Sequence, residues 1–283
     1  MSPPASARVS EAAFVVTFRD WASHAELTVR VRRALRGVLP PRAWTVRERV
    51  RRMRGLPSDF VVLDFDRADA QARRRARAAL HDHRGVTSIT RERLYSTTER
   101  RAASRRRVPS RRLEAGEPLA EEEALHARMP HDFITSKLGA ARWWRRGASG
   151  AHIRVGVMDT GLRRNQSFLR NVVDVIDFTP EHNKEDLVGH SSFMAGVIGS
   201  HRDCLGFAPD AALYMLRVFD SSQGSSTAGF LEAFNFALLH ELDLINLSVG
   251  GPDYMDRPFV AKVKEVAMAG ITISSGAGNS GPR

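Results

Sequence analysis

The chain has 283 residues, 42% of them hydrophobic, with 43 Lys+Arg against 32 Asp+Glu and a net charge of +11; that is enough for one large domain or two small ones with a sizeable core. A single cysteine, Cys204, excludes an internal disulfide, and no stretch approaches the roughly 18 consecutive apolar residues of a membrane-spanning helix. The basic excess is local: residues 1–112 hold 27 Lys+Arg against 11 Asp+Glu, whereas residues 113–283 hold 16 against 21, so the chain divides near residue 112.

In chain order, Ala13-Phe-Val-Val-Thr-Phe18 is β-branched and aromatic and predicts a strand. Residues 24–37 place Leu27, Val31 and Leu35 at helical spacing. Residues 43–48 and 60–65 read as two further strands, separated by turn-forming Gly55, Pro57 and Ser58. Residues 68–83, rich in Ala and Arg, favour a helix, and residues 86–95 a last strand. The order β-α-β-β-α-β is the split βαβ, ferredoxin-like arrangement, and defines a first α+β domain over residues 12–97. Residues 98–131 read as a linker, because Arg pairs and triplets, Glu121-Glu-Glu123 and three prolines leave little apolar surface to pack.

Residues 132–283 form the second unit. Strands are expected at 153–158, 212–219, 243–249 and 271–274, with helices at 190–200, 230–240 and 259–268. Such alternation implies a parallel sheet covered by helices. Ligands of these sheets gather beyond the carboxyl ends of the strands. Asp159 ends the first strand, His190 opens the first helix and Asn279 follows the last strand. A carboxylate that orients an imidazole, an imidazole that takes a hydroxyl proton, and an amide that donates to an oxyanion are the parts acyl transfer needs.

Four segments in this order resemble those of subtilisin-like serine proteases, the subtilase family. Asp159-Thr-Gly161 is similar to the family's catalytic-Asp motif, and Gly189-His190 followed by Phe193-Met-Ala-Gly196 to its catalytic-His motif. Asn246-Leu-Ser-Val-Gly-Gly251 resembles the strand that holds the substrate backbone, through Ser248, Val249 and Gly250. Gly278-Asn279-Ser-Gly281 resembles the oxyanion segment. Cys204-Leu-Gly-Phe-Ala-Pro-Asp210, Arg217-Val-Phe219 and residues 230–237 and 250–260 bring the site-1 protease branch of the family to mind in particular. The resemblance implies an α/β, subtilisin-like parallel sheet, here incomplete, preceded by a ferredoxin-like propeptide that docks on its own peptidase domain. It also implies protein substrates cleaved after Arg-x-aliphatic-x sequences, no cofactor in the bond-breaking, calcium as a stabilising ion with no site assigned, and the ER/Golgi secretory pathway. Residues 1–8 show no signal-peptide run, so that placement rests on the resemblance alone. Arg111-Arg112-Leu113-Glu114 fits the cleavage pattern and predicts self-cleavage after Glu114, with Arg106-Arg-Val-Pro109 as a second match.

Two departures shape the expectation. The family nucleophile sits in a Gly-Thr-Ser motif well downstream of the oxyanion Asn, and these residues contain no Gly-Thr-Ser; the chain as read is expected to be an inactive fragment. Ser191 and Ser192 stand where the family has Gly and Thr, and a side chain at 191 is expected to crowd the imidazole. Two rivals follow: a non-catalytic pseudoprotease or propeptide fragment that binds a related protease, and a nucleic-acid binder acting through the Arg runs. The second is the weaker, since no aromatic residues interleave the runs to stack on bases. A solvated helix face, or docking on an acidic peptidase surface, accounts for the charge.

Overall fold

Strand β1 (Arg8–Ala22) is the centre of the first sheet in the computed structural model, which describes residues 8–65, 68–96, 133–202, 204–248 and 255–277. It pairs antiparallel with β3 (Ser58–Asp64) on one side and β4 (Val86–Ser96) on the other, so it runs well beyond the predicted 13–18. Only Thr45–Val46 of the expected 43–48 strand forms β2, after a 3₁₀ turn at Pro41–Ala43. The order β2-β3-β1-β4 is that of the split βαβ unit. Helix α1 (His24–Leu35) starts in a capping box, with the Ser23 hydroxyl accepting from the Glu26 N–H and the Glu26 carboxylate from the Ser23 N–H. Helix α2 (Ala70–His81) starts at Asp69, which accepts from the Ala72 N–H.

Side chains alternate across a strand, so this sheet has two different faces. Phe14, Val16, Phe18, Val61 and Leu63 pack under α1 and α2, against Leu27, Val31, Leu35, Ala72 and Leu80. Ala13, Val15, Phe60 and Val62 point the other way and meet Leu231 of the later half.

The second sheet is parallel in every pairing: β10 (Thr272–Ser275), β9 (Leu244–Leu247), β5 (Arg154–Asp159), β7 (Ala212–Arg217) and β6 (Val172–Asp177), in that order. Helix α5 (His190–Gly199) packs Ala195 on Val155, Val157, Leu213 and Met215. Helices α6 (Thr227–Leu239) and α7 (Arg257–Met268) cover the opposite face, through Met158, Leu216 and Ile245. The expected α/β sheet with covering helices is therefore present. Strand β6, the three-residue β8 (Gly224–Ser226) and the short helices α3 (Phe133–Lys137) and α4 (Ala140–Trp144) were not anticipated from the sequence.

Helix α6 lies between the two sheets, and every residue from Gly229 to Ala237 is buried. That explains why apolar residues face every side of it, with Glu232 and Asn235 as buried polar exceptions. Phe230, Phe234 and Phe236 are each at most 2% exposed, and each contributes roughly 1.5–3 kcal/mol by leaving water. Polar pairs fix how the first sheet sits on it. Arg49 donates to both oxygens of Glu232 at 2.6 Å, Lys262 of α7 reaches Asp59 at 2.7 Å, and Tyr95 donates to Asp256 at 2.6 Å.

Candidate active site

Asp159 closes β5, the middle strand, and is 1% exposed. Here the connections from β5 and β7 leave for opposite sides of the sheet, which is where such folds open a crevice. The backbone of β7 folds over it, as Val218 and Phe219 both donate to the Asp159 carbonyl. Its side chain accepts from the Thr160 N–H at 2.7 Å. His190, the first residue of α5, brings Nδ1 to 2.9 and 2.8 Å from the two Asp159 carboxylate oxygens. A carboxylate only accepts, so Nδ1 carries the proton and Nε2 is the nitrogen left for proton transfer. The bond to Asp159 raises the imidazole above its ordinary 6.5, burial works against it, and the charges of Asp159 and Asp186 add to the rise. The ring is about half exposed, its side chain at 46%.

Gly189 precedes the helix at φ 93°, a left-handed backbone that favours glycine, with the mobile end of Arg163 beside it. Gly161 is held more tightly: φ is 109° and a Cβ would lie 2.6 Å from the Lys184 carbonyl. Serine at 191 does not displace the imidazole. Ser191 is buried without exposure and its hydroxyl has no partner among the described residues, while the His190–Asp159 contact is made. Ser192 keeps a hydroxyl in place of the family's threonine; it donates to Asp186 at 2.7 Å and accepts from the Arg163 N–H at 2.9 Å.

Ser248 follows β9 and lies beside α5, donating to Asn246 at 2.8 Å with Met194 Sδ at 3.4 Å. Val249, Gly250 and Asn279, and the cleavage candidates Arg111, Leu113 and Glu114, lie outside the described residues. Three features at this corner escaped the sequence. Asp186 is buried beside Asp159 and His190, accepting from the Thr160 hydroxyl and from the N–H groups of Gly189 and Ser192. Arg217, 1% exposed, ends β7; it donates to the Thr160 carbonyl, Thr179 Oγ1, the Asn183 carbonyl, Asp177 and Glu181. It thereby ties the 177–183 loop to the residue after Asp159. Strand β8 pairs antiparallel with the end of β4, Leu94 to Ser226 through Ser96 to Gly224. Among the described residues no group of three or more His, Cys, Asp or Glu is placed to hold a metal ion, and Arg217 already neutralises the Asp177 and Glu181 carboxylates. No helix among them is long and apolar enough to cross a membrane.

A buried carboxylate on a central strand, gripping an imidazole at the head of the next helix, is the corner expected of one class of hydrolase. Residues 150–283 match the model of the Subtilase family. The likeness extends into the first unit in the membrane-bound transcription factor site-1 protease of Homo sapiens, 36% identical over an alignment of 248 positions that covers 80% of this chain and 23% of that protein. Subtilisin-like protease SBT6.1 of Arabidopsis thaliana is 43% identical over 150 residues, 53% of this chain and 14% of the relative. Subtilisin DY of Bacillus licheniformis is 30% identical over an alignment of 144 positions that covers 47% of this chain and 53% of the relative. The chain thus spans under a quarter of the length of the site-1 protease it matches.

Proposed function

We propose that this chain supplies the Asp–His half of a subtilisin-like serine endopeptidase of the site-1 protease type. The observation that carries the reading is the 2.8 Å contact between His190 Nδ1 and Asp159 in a segment of subtilase sequence. Asp159 holds the ring in one tautomer and stabilises its protonated form. His190 takes the proton of a serine hydroxyl as the hydroxyl oxygen attacks the substrate carbonyl, then returns it to the leaving amine. Asn279 donates to the oxyanion, and Ser248, Val249 and Gly250 hold the substrate backbone. The serine is one that these 283 residues do not offer in a Gly-Thr-Ser setting. By the same likeness, the substrates are proteins cut after Arg-x-aliphatic-x sequences in the ER/Golgi secretory pathway.

The first unit, residues 12–97, acts as the propeptide in this reading. The support is that its sheet covers α6 and that β4 runs along β8 toward the loop leaving β7, next to Asp159. Cleavage in the 98–131 linker after Glu114 then separates the two units, and mass-spectrometric termini of an expressed full-length, serine-bearing form elsewhere in the linker reject that site.

The decisive experiment fuses residues 1–283 to the serine-bearing remainder of a site-1-type subtilase. It measures hydrolysis of an Arg-x-Leu-x peptide and labelling by a fluorophosphonate. Activity is expected to rise with pH through a value above 6.5, because His190 must be neutral to accept a proton and its bond to Asp159 raises its titration. His190→Ala and Asp159→Asn are each expected to cost on the order of 10⁴-fold in kcat. An active fusion indifferent to both substitutions overturns the reading.

A further inference from the structure

The helix that delivers His190 has lost its own cap. A helix start leaves N–H groups unpaired, and the side chain before the first turn ordinarily accepts one of them. Gly189 occupies that position and has no side chain to do so. The missing acceptors come from two other places. Asp186 Oδ2 accepts from the Ser192 N–H at 2.9 Å, and Thr160 Oγ1 accepts from the Ser191 N–H at 3.2 Å. The two substitutes are themselves joined, since the Thr160 hydroxyl donates to Asp186 Oδ1 at 2.8 Å. Asp186 further accepts from the N–H groups of Val188 and Gly189, at 3.1 and 2.7 Å, and from the Ser192 hydroxyl. Five donors thus converge on one carboxylate that is 1% exposed. Thr160 is the residue after Asp159, so the cap of α5 is anchored to the strand that carries Asp159.

We propose that Asp186 is a positioning residue, which together with Thr160 caps α5 in place of the side chain that Gly189 lacks and so sets the His190–Asp159 contact. The inference rests on the peptidase reading for its consequence in catalysis, but the contact itself exists in these residues and is observable without turnover. Ser192 belongs to the device: its hydroxyl occupies the second Asp186 oxygen and receives the Arg163 N–H. Any residue at 192 that keeps a hydroxyl preserves it.

The test is nuclear magnetic resonance of the 283-residue chain carrying ¹³C at histidine Cε1, with the His190 signal assigned by its loss in His190→Gln. The readouts are the pH midpoint of that signal and the low-field Nδ1 proton of the bond to Asp159. Asp186→Asn removes a negative charge as well as an acceptor, so the deciding variant is Thr160→Val, which changes no charge. Both are expected to lower the midpoint by about half a unit or more, against 1.36 kcal/mol per whole unit, and to weaken or abolish the Nδ1 proton signal. Ser192→Thr is expected to leave both readouts as in the parent. A parent-like Nδ1 proton and midpoint in Thr160→Val overturn the proposal, and so does an effect confined to Asp186→Asn, which charge alone explains. Should Asp186→Asn fail to fold, Thr160→Val and Ser192→Ala still decide. In the active fusion, Thr160→Val is expected to lower kcat by on the order of tenfold to a hundredfold with KM little changed, as a misplaced catalytic group does. A fusion without activity would sink the peptidase reading while leaving the resonance result standing.

Discussion

Two of the carboxylates buried among the described residues, Asp186 and Glu232, behave oppositely. Asp186, in the corner beside His190, sits below its ordinary value of 3.8: burial opposes this, but the N–H and hydroxyl of Ser192, the Gly189 N–H and the Thr160 hydroxyl outweigh it. Glu232, between the two sheets, sits above its ordinary 4.5, because burial outweighs the Arg49 guanidinium that grips both its oxygens. Several short neutral donors from fixed backbone replace water around an ion more completely than one cation that must itself be desolvated. The corner is arranged to keep a charge; the seam between the sheets is arranged to match two surfaces.

The largest effect expected from breaking this comparison is at the seam. Arg49→Met alone leaves Glu232 buried without its partner and is expected to cost about 3–5 kcal/mol in urea unfolding. The double variant Arg49→Met/Glu232→Leu is expected to recover most of that. If the single change costs under about 1 kcal/mol, the pair is not holding the sheets together. Next comes the corner. Ser192→Ala removes a hydrogen bond to a charged acceptor and is expected to cost about 1.5–3 kcal/mol, while Ser192→Thr is expected to hold stability near the parent.

Acid titration sharpens the contrast through its sign. Asp186 has a lowered folded value, so its contribution is present above 3.8 and is lost as pH falls through the folded value. Glu232 has a raised one, so its contribution is fullest below 4.5 and is lost as pH rises through the folded value. The gap in melting temperature between parent and Asp186→Asn should therefore narrow on acidification, whereas that between parent and Glu232→Gln should widen. Parallel slopes would mean that the two carboxylates are equivalent after all.

The same contrast explains what the sequence could reveal. Asp159 and His190 were legible because each sits on an element with a clear period, at the end of the apolar run 153–158 and at the head of an apolar helix. Asp186 and Arg217 were not: Asp186 joins the helix start to Thr160, 26 residues earlier, and Arg217 reaches the Thr160 and Asn183 carbonyls, contacts that no local period announces. Strand β8 is Gly-Ser-Ser and has no apolar side chain to announce it; it is a strand because β4 lends it an edge. Strand β6 slips in register between Val172 and Asp174, which breaks the alternation a strand is recognised by. Charge was legible in amount but not in place. The exposed arginines of α1 and α2, Arg32, Arg33, Arg74, Arg75 and Arg77, with Arg36 just after α1, lie on the helix layer, across the sheet from α6. They cannot be what docks the first sheet on the second unit; Arg49, Asp59 and Tyr95 do that.

The smallest expected effect lies within the corner itself, at Ser191. Its hydroxyl is buried with no partner among the described residues while its neighbour Ser192 is bonded on both sides, so adjacent serines provide an internal control for the donor argument. An unpaired buried hydroxyl is a cost that Ser191→Ala removes without leaving a large void, and the change is expected to raise stability by about 0.5–1 kcal/mol. Ser191→Gly removes the same hydroxyl but loosens a helical position by about 0.5–1 kcal/mol relative to Ala, so it is expected to come out near neutral. The order Ala above Gly, with Gly close to Ser, measured by urea unfolding, separates the hydroxyl from the helix. If Ser191→Ala were as damaging as Ser192→Ala, an unseen partner would be paired with the Ser191 hydroxyl, and satisfaction by donors would not be what distinguishes these two positions.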